Sequence, residues 1–211
     1  MKPEELYEFK NKLLIVFEEM DGGSMENIVQ EYFHSYSEAF CKYTLYMAAQ
    51  GLAHLHSKNV IHRDIKSDNI LCKKTTGEIK ITDLGCSVLL HKEKAFRDTR
   101  VGSENWFAPE IISGVAYSKE VDIWSFGIFA HELACGEPPF RHGLNGQSVY
   151  EAILTMDVPR IPERWSDTFN DFVHQCLRRD RNERPTIEEV LQHEFFQGMD
   201  IEACKRQWID D

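Results

Sequence analysis

Apolar positions along the chain recur with periods that predict mostly helix. Leu13 to Phe17 (Leu-Leu-Ile-Val-Phe) is a short continuous apolar run, the form of a buried strand, and Asp21-Gly22-Gly23 breaks it. Ser24 is placed to cap a short helix with Met25, Ile28, Val29 and Tyr32 on one side. Ser35-x-x-Glu38 reads as a capping box that opens a longer helix. There Cys41, Leu45, Ala48, Leu52 and Leu55 recur at steps of three and four, one stripe facing a core. Asn69 to Cys72 and Glu78 to Thr82 read as two strands joined by Thr75-Thr76-Gly77. Residues 83–110 are polar, aperiodic and loop-like. Asp122 to Ala134 is apolar on nearly every face, which predicts a helix buried all round and too short to span a bilayer. Gly136 and Pro138-Pro139 stop it. Thr168 to Leu177 and Thr186 to Phe196 read as amphipathic helices, the second opened by the box Thr186-x-x-Glu189. With no repeat or linker, the pattern predicts a helical domain with a few strands at its front edge.

Composition narrows the class. A length of 211 residues fits one domain, and 42% hydrophobic residues exclude a disordered chain. A formal charge of −11 argues against nucleic acid and against a polybasic membrane contact. The six cysteines lie far apart, without a Cys-x-x-Cys pair or a zinc-spaced histidine, which suits a reduced compartment better than a disulfide scaffold. No run reaches the ~18 apolar residues of a membrane span. Met1-Lys2-Pro3-Glu4-Glu5 does not read as a signal peptide. The expected compartment is cytoplasmic, with the nucleus also open.

Chemistry concentrates in His62-Arg63-Asp64-Ile65-Lys66-Ser67-Asp68-Asn69, between the long helix and a strand. Asp64, Lys66 and Asn69 put a carboxylate, a cation and an amide into one tight loop. Phosphoryl transfer needs such a set: an acceptor that orients the incoming hydroxyl, a positive charge for the moving phosphoryl group, and an oxygen ligand for magnesium. Asp83-Leu84-Gly85 after the hairpin and Ala108-Pro109-Glu110 further on are each weak alone.

In this order and at these distances the three stretches resemble the protein-kinase signature set: catalytic loop, magnesium-binding Asp-Phe-Gly, and the Ala-Pro-Glu that closes the activation segment. The resemblance runs from about Phe9 to Phe196. It is nearest to the sterile-twenty-like and p21-activated group of serine/threonine kinases, through Glu19-Met20-Asp21-Gly22-Gly23-Ser24-Met25, His62 to Asn69, Val121 to Gly127 and Gly136-Glu137-Pro138-Pro139-Phe140. Lys66, two residues past Asp64, matches the serine/threonine pattern. The implied fold is α+β, the mainly helical C-terminal lobe of a protein-kinase-like domain over residues 1–198, with hinge strands and a tail at 199–211.

The resemblance also implies roles. Asp64 orients the substrate hydroxyl and accepts its proton, Lys66 neutralises the γ-phosphate, and Asn69 and Asp83 hold Mg2+. Phe17 guards the back of an adenine pocket, Glu18 to Met20 form the hinge that binds ATP, and Leu71 is the pocket floor. His62 and Leu84 belong to an apolar column. Asp122 supports the catalytic-loop backbone, and Ser103 keeps a hydroxyl able to bridge Asp64 and Lys66. Glu110 with Arg184 reads as a buried ion pair rather than a substrate contact. Cys86 reads as a packing residue before a reactive thiol. Thr99 is the expected activating phosphorylation site and Arg63 the arginine that receives its phosphate, from an upstream activating kinase. The implied partners are protein substrates with serine or threonine acceptors.

The sequence departs from the family in three places. No glycine-rich loop precedes Phe17, and no strand lysine is recognisable there, so the expectation is a piece of a longer product with most of the N-terminal lobe outside it. Leu84 replaces the usual Phe. Ser103-Glu104-Asn105-Trp106 replaces Thr-Pro-Tyr-Trp, which changes the floor under the substrate residue after the acceptor. Two readings stay open: an ATP- and Mg2+-dependent protein serine/threonine kinase, or a truncated, non-catalytic kinase-like binding protein.

Overall fold

The stripe at Cys41, Leu45, Ala48 and Leu52 is the spine of the molecule, each side chain at most 1% exposed. The computed structural model describes residues 1, 3–91, 96–141 and 146–210, the last four of them by backbone alone. A hairpin of β1 (Glu5–Phe9) and β2 (Lys12–Val16) comes first. β3 (Gly23–Ser24) leads into α1 (Met25–Tyr32), and then comes α2 (Glu38–Ser57). β4 (Val60–Ile61), β5 (Ile70–Lys73), β6 (Glu78–Ile81) and β7 (Val88–Leu89) follow. The remainder is helical: α3 (Pro109–Ile112), α4 (Glu120–Cys135), α5 (Val149–Thr155), α6 (Asp167–Cys176), α7 (Ile187–Leu191) and α8 (Ile201–Asp210). Three small antiparallel sheets, β1-β2, β3-β5-β6 and β4-β7, complete the expected α+β arrangement of a mainly helical lobe with strands at one edge.

α4 is the centre of the core. Residues 121–134 are all buried, as an apolar helix without a polar face requires. Gly136, at φ 85°, ends it and donates its N–H to the Glu132 carbonyl at 2.8 Å, in the left-handed cap conformation that glycine adopts most readily. α6 packs beside it, and the buried pair Phe195 and Phe196 packs on α6 in turn, with Phe169 stacked on Phe195 at 4.5 Å.

Several sequence expectations are corrected. α2 is capped by Ser37, whose hydroxyl accepts from Phe40 N at 3.3 Å, not by a Ser35–Glu38 box. Glu38 is engaged elsewhere, accepting from the backbone N–H and hydroxyl of Ser166 at 2.6 and 2.8 Å. Ser24 does cap α1, but Tyr32 at its end is 47% exposed. The helix opened by Thr186 stops at Leu191. His193 then caps a separate 3-10 turn at 194–196, in which Phe195 and Phe196 are both buried. The 83–110 segment is not a bare loop: it carries two 3-10 turns, β7 and α3, all too short to leave a period in the sequence.

The largest correction concerns β2. The strand forms, but it is not buried: Leu13, Leu14, Ile15, Val16 and Phe17 are 63, 54, 47, 39 and 41% exposed. Among the described residues no strand other than β1 pairs with it, so its outer edge has no sheet neighbour.

Candidate active site

The loop between β4 and β5 owes its shape to a carboxylate on another element. Asp122, in the first turn of α4 and fully buried, accepts the backbone N–H of His62 at 2.8 Å and that of Arg63 at 2.7 Å. It also meets His56 Nε2 at 2.9 Å, which ties α2 to the same point. Arg63 is held at φ 70°, a left-handed backbone that a non-glycine residue adopts only when its surroundings fix it. His62 is fully buried, with its ring Nε2 2.9 Å from the Thr82 carbonyl, and its Nδ1 accepts Asp64 N–H at 3.3 Å.

This frame presents Asp64. Its Oδ2 accepts from Asn69 Nδ2 at 3.0 Å, and the same amide donates to the Asp64 carbonyl at 2.8 Å. Asp64 Oδ1 accepts the backbone N–H of Ser103 at 2.9 Å. The Ser103 contact expected through the hydroxyl is therefore made by the main chain. Gly102 allows it: at φ 115°, any Cβ there would lie 2.3 Å from the Arg63 carbonyl oxygen. Lys66 Nζ stands 4.0 Å from Asp64 Oδ2 and 3.8 Å from Asp68 Oδ2, and lies 5.9 Å above the Trp106 ring.

Asp83 follows β6 in a left-handed conformation at φ 57°, with Oδ1 capping Gly85 N–H at 2.9 Å. It is exposed and lines a cavity of about 530 Å³ with Leu84, Phe17, Leu6 and Ile15. Leu84 is 52% exposed, whereas His62 is fully buried. In the 18–20 segment the Glu18 carboxylate binds Lys80 at 2.5 Å and Lys73 at 3.9 Å, and the hydrogen bond to Lys80 holds it below the usual carboxylate range. The Met20 N–H and the Glu18 carbonyl take no hydrogen bond from the described residues. Leu71, half-buried in β5, faces Ser24 on one side and Lys80 on the other.

Arg63 joins this loop to the segment that follows Asp83. Its Nε donates to the Cys86 carbonyl at 2.6 Å, and its Nη1 donates to Thr99 Oγ1 at 2.9 Å and to Tyr117 OH at 3.3 Å. Tyr117 OH in turn donates to the Thr99 carbonyl at 2.7 Å. Burial first, then the Asp64 and Asp83 carboxylates, push the Cys86 thiol up, which disfavours a reactive thiolate. Arg184 binds Glu110 with two bonds, at 2.6 and 2.7 Å, and spends its remaining donors on the carbonyls of Glu120, Arg178 and Arg179.

Two functional neighbours were not legible from the sequence. Ser67 donates to the buried Glu132 at 2.6 Å, and burial raises that carboxyl to about 7. Tyr117 stands in no motif, and only its contacts reveal it.

Proteins similar in sequence include several serine/threonine-protein kinases. The serine/threonine-protein kinase pakA of Talaromyces marneffei is 42% identical over 190 residues, 87% of this chain and 28% of the relative. The serine/threonine-protein kinase STE20 of Candida glabrata is 42% identical over 194 residues, 90% of this chain and 20% of its own length. Human myosin-IIIa is 38% identical over 209 residues, 93% of this chain and 13% of its own. The chain thus spans between 13 and 28% of these relatives. The protein kinase domain matches residues 2–196. With a match of that extent around a loop so assembled, the chain belongs to the protein kinase domain family.

Proposed function

We propose that this chain transfers the γ-phosphate of ATP to serine or threonine hydroxyls of protein substrates, with Mg2+ as the metal. The observation that carries the reading is Asp64. Both of its carboxylate oxygens are fixed, by Asn69 Nδ2 and Ser103 N–H, with Lys66 Nζ 4.0 Å away. So held, Asp64 orients an incoming hydroxyl and accepts its proton, while Lys66 offers positive charge where phosphoryl oxygens gather. The unpartnered Met20 N–H and Glu18 carbonyl suit the donor-and-acceptor edge of adenine, with Leu71 as an apolar floor and Phe17 at the back.

The residues fit a magnesium ion. Asn69 uses only its Nδ2 and Asp83 only its Oδ1 toward the chain, so each keeps a hard oxygen to offer. Bound there, Mg2+ would neutralise phosphate charge. The family uses ATP and protein substrates generally, and extending that to this chain rests on the retained Asp64, Asn69 and Asp83.

Regulation follows from Arg63. A phosphate placed on Thr99 by an upstream kinase would meet a guanidinium already 2.9 Å from Oγ1, converting a neutral contact into charge-assisted bonds. Thr99 is exposed, as a modification site must be. The reduced cysteines fit a cytoplasmic setting.

The test incubates the full protein with γ-labelled ATP, Mg2+ and a protein acceptor, followed by phosphoamino-acid analysis. Label on serine or threonine that disappears with a chelator is the expected result. Nucleotide binding with no label transferred would overturn the proposal.

A further inference from the structure

The stretch that departs most from the family, Ser103-Glu104-Asn105-Trp106, lies against the catalytic carboxylate. Ser103 N–H binds Asp64 Oδ1 at 2.9 Å, and the next residue starts a 3-10 turn, Glu104–Trp106. Neighbouring Cα atoms are about 3.8 Å apart, in this chain and in a bound substrate alike. Glu104 is therefore one residue's length from the carboxylate that a substrate hydroxyl must reach, within range of the acceptor's neighbour.

Glu104 is exposed, and one of its oxygens is pinned. Tyr150 OH donates to Oε1 at 2.7 Å, and the Tyr150 ring is itself fixed by stacking on Phe107 at 6.3 Å and 25°. The other oxygen, Oε2, takes no bond or ion pair from the described residues. Two cations stand close, and each is turned to other partners. Arg100 lies 5.5 Å from the Tyr150 ring and donates to the Ile112 carbonyl at 2.6 Å, and Lys66 faces Asp64 and Asp68. A carboxylate with one oxygen immobilised and the other open is a receptor for a single positive charge, and it loses little rotamer freedom on binding one.

We infer that Glu104, positioned by Tyr150, selects protein substrates with a lysine or arginine immediately beside the phosphoacceptor. The inference rests on the kinase reading and adds to it the chemistry of the acceptor's neighbour.

The experiment measures kcat/KM of the full protein on peptides that differ only in the residue next to the acceptor, on either side: lysine, alanine or glutamate. The lysine peptide is expected to exceed alanine by about fivefold at one of the two positions, the upper range for an exposed ion pair, with glutamate below alanine. The ratio shrinks as ionic strength rises. Glu104→Gln abolishes it, Glu104→Lys inverts it, and Tyr150→Phe lowers it partway. Each ratio is taken within one enzyme preparation, so a partly folded variant still reports. Equal rates for lysine and alanine peptides, or a lysine preference that survives Glu104→Gln, would overturn the inference alone. No transfer to any peptide would refute the kinase reading, and this inference with it.

Discussion

Replacing Asp122 tests whether one buried carboxylate sets the shape of the catalytic loop. It is fully buried and accepts from three groups: His62 N–H at 2.8 Å, Arg63 N–H at 2.7 Å and His56 Nε2 at 2.9 Å. Asp122→Ala leaves all three without an acceptor. Each stranded buried donor costs about 1–3 kcal/mol, so the loss for three is roughly 3–9 kcal/mol. That is comparable with the whole stability of a typical domain, about 5–15 kcal/mol. Asp122→Asn keeps one oxygen but turns an NH2 toward one of the donors, for a smaller loss of about 1–3 kcal/mol. The assay is urea unfolding followed by tryptophan fluorescence. With a slope of about 1–3 kcal/mol per molar urea, the alanine variant shifts the midpoint by about 1 M or more, and the asparagine variant by less. Phosphoryl transfer should fall in both, further than the folded fraction does, because Arg63 is released from its φ of 70° and Asp64 moves with it. An alanine variant whose midpoint matches the parent would show that something other than Asp122 holds this loop.

The exposed hairpin makes the chain prone to self-association, since Leu13 and Ile15 are 63 and 47% exposed on an unpaired two-stranded sheet. Leu13→Lys with Ile15→Lys, on one face of β2, should raise the monomer fraction in sedimentation velocity, and an unchanged distribution would contradict this. Glu132 links stability to pH. Burial raises its carboxyl to about 7, so between about 4.5 and 7 the folded chain holds more protons than the unfolded one and stability falls as pH rises, by roughly 3 kcal/mol in all. Glu132→Gln should remove that component and be the more stable form at pH 8. His131, lowered to about 4 by burial, contributes the opposite slope below its ordinary value, so the comparison is made variant against parent. Thr99→Ala and Arg63→Ala should each lower the activity of the phosphorylated enzyme, and full activity in Thr99→Ala would remove Thr99 from regulation.

The parts of the fold written in local spacing were legible. The α2 stripe, the buried α4 and the Thr186–Glu189 box each follow from a period or a cap that lies within a few residues. The catalytic loop was legible for a different reason: its residue types are chemically unusual neighbours. What escaped depends on groups that every residue carries, or on partners distant in sequence. Ser103 reaches Asp64 through a backbone N–H, which residue identity does not announce. The Tyr150–Glu104 bond joins positions 46 apart, and the Ser166–Glu38 bond that displaced the expected cap joins positions 128 apart. β2 shows the limit of periodicity most plainly. An apolar run at strand length specifies extended backbone, but burial depends on a covering surface that the run itself does not encode.

The most direct test of the account compares Asp64→Asn with Asp83→Asn in the full protein, measuring phosphoryl transfer to a protein acceptor and Mg2+-dependent nucleotide affinity side by side. The asparagine amide is nearly isosteric with the carboxylate and keeps one oxygen for Asn69 or Ser103 while its NH2 meets the other donor, but it accepts no proton from the substrate hydroxyl. Asp64→Asn should therefore reduce turnover by about 10²–10⁴-fold while nucleotide affinity stays nearly unchanged. Asp83→Asn should instead weaken nucleotide binding in the presence of Mg2+, because an ionic oxygen ligand is lost. Near-parental turnover in Asp64→Asn would contradict the assignment of that residue, and with it the chemistry proposed for the loop.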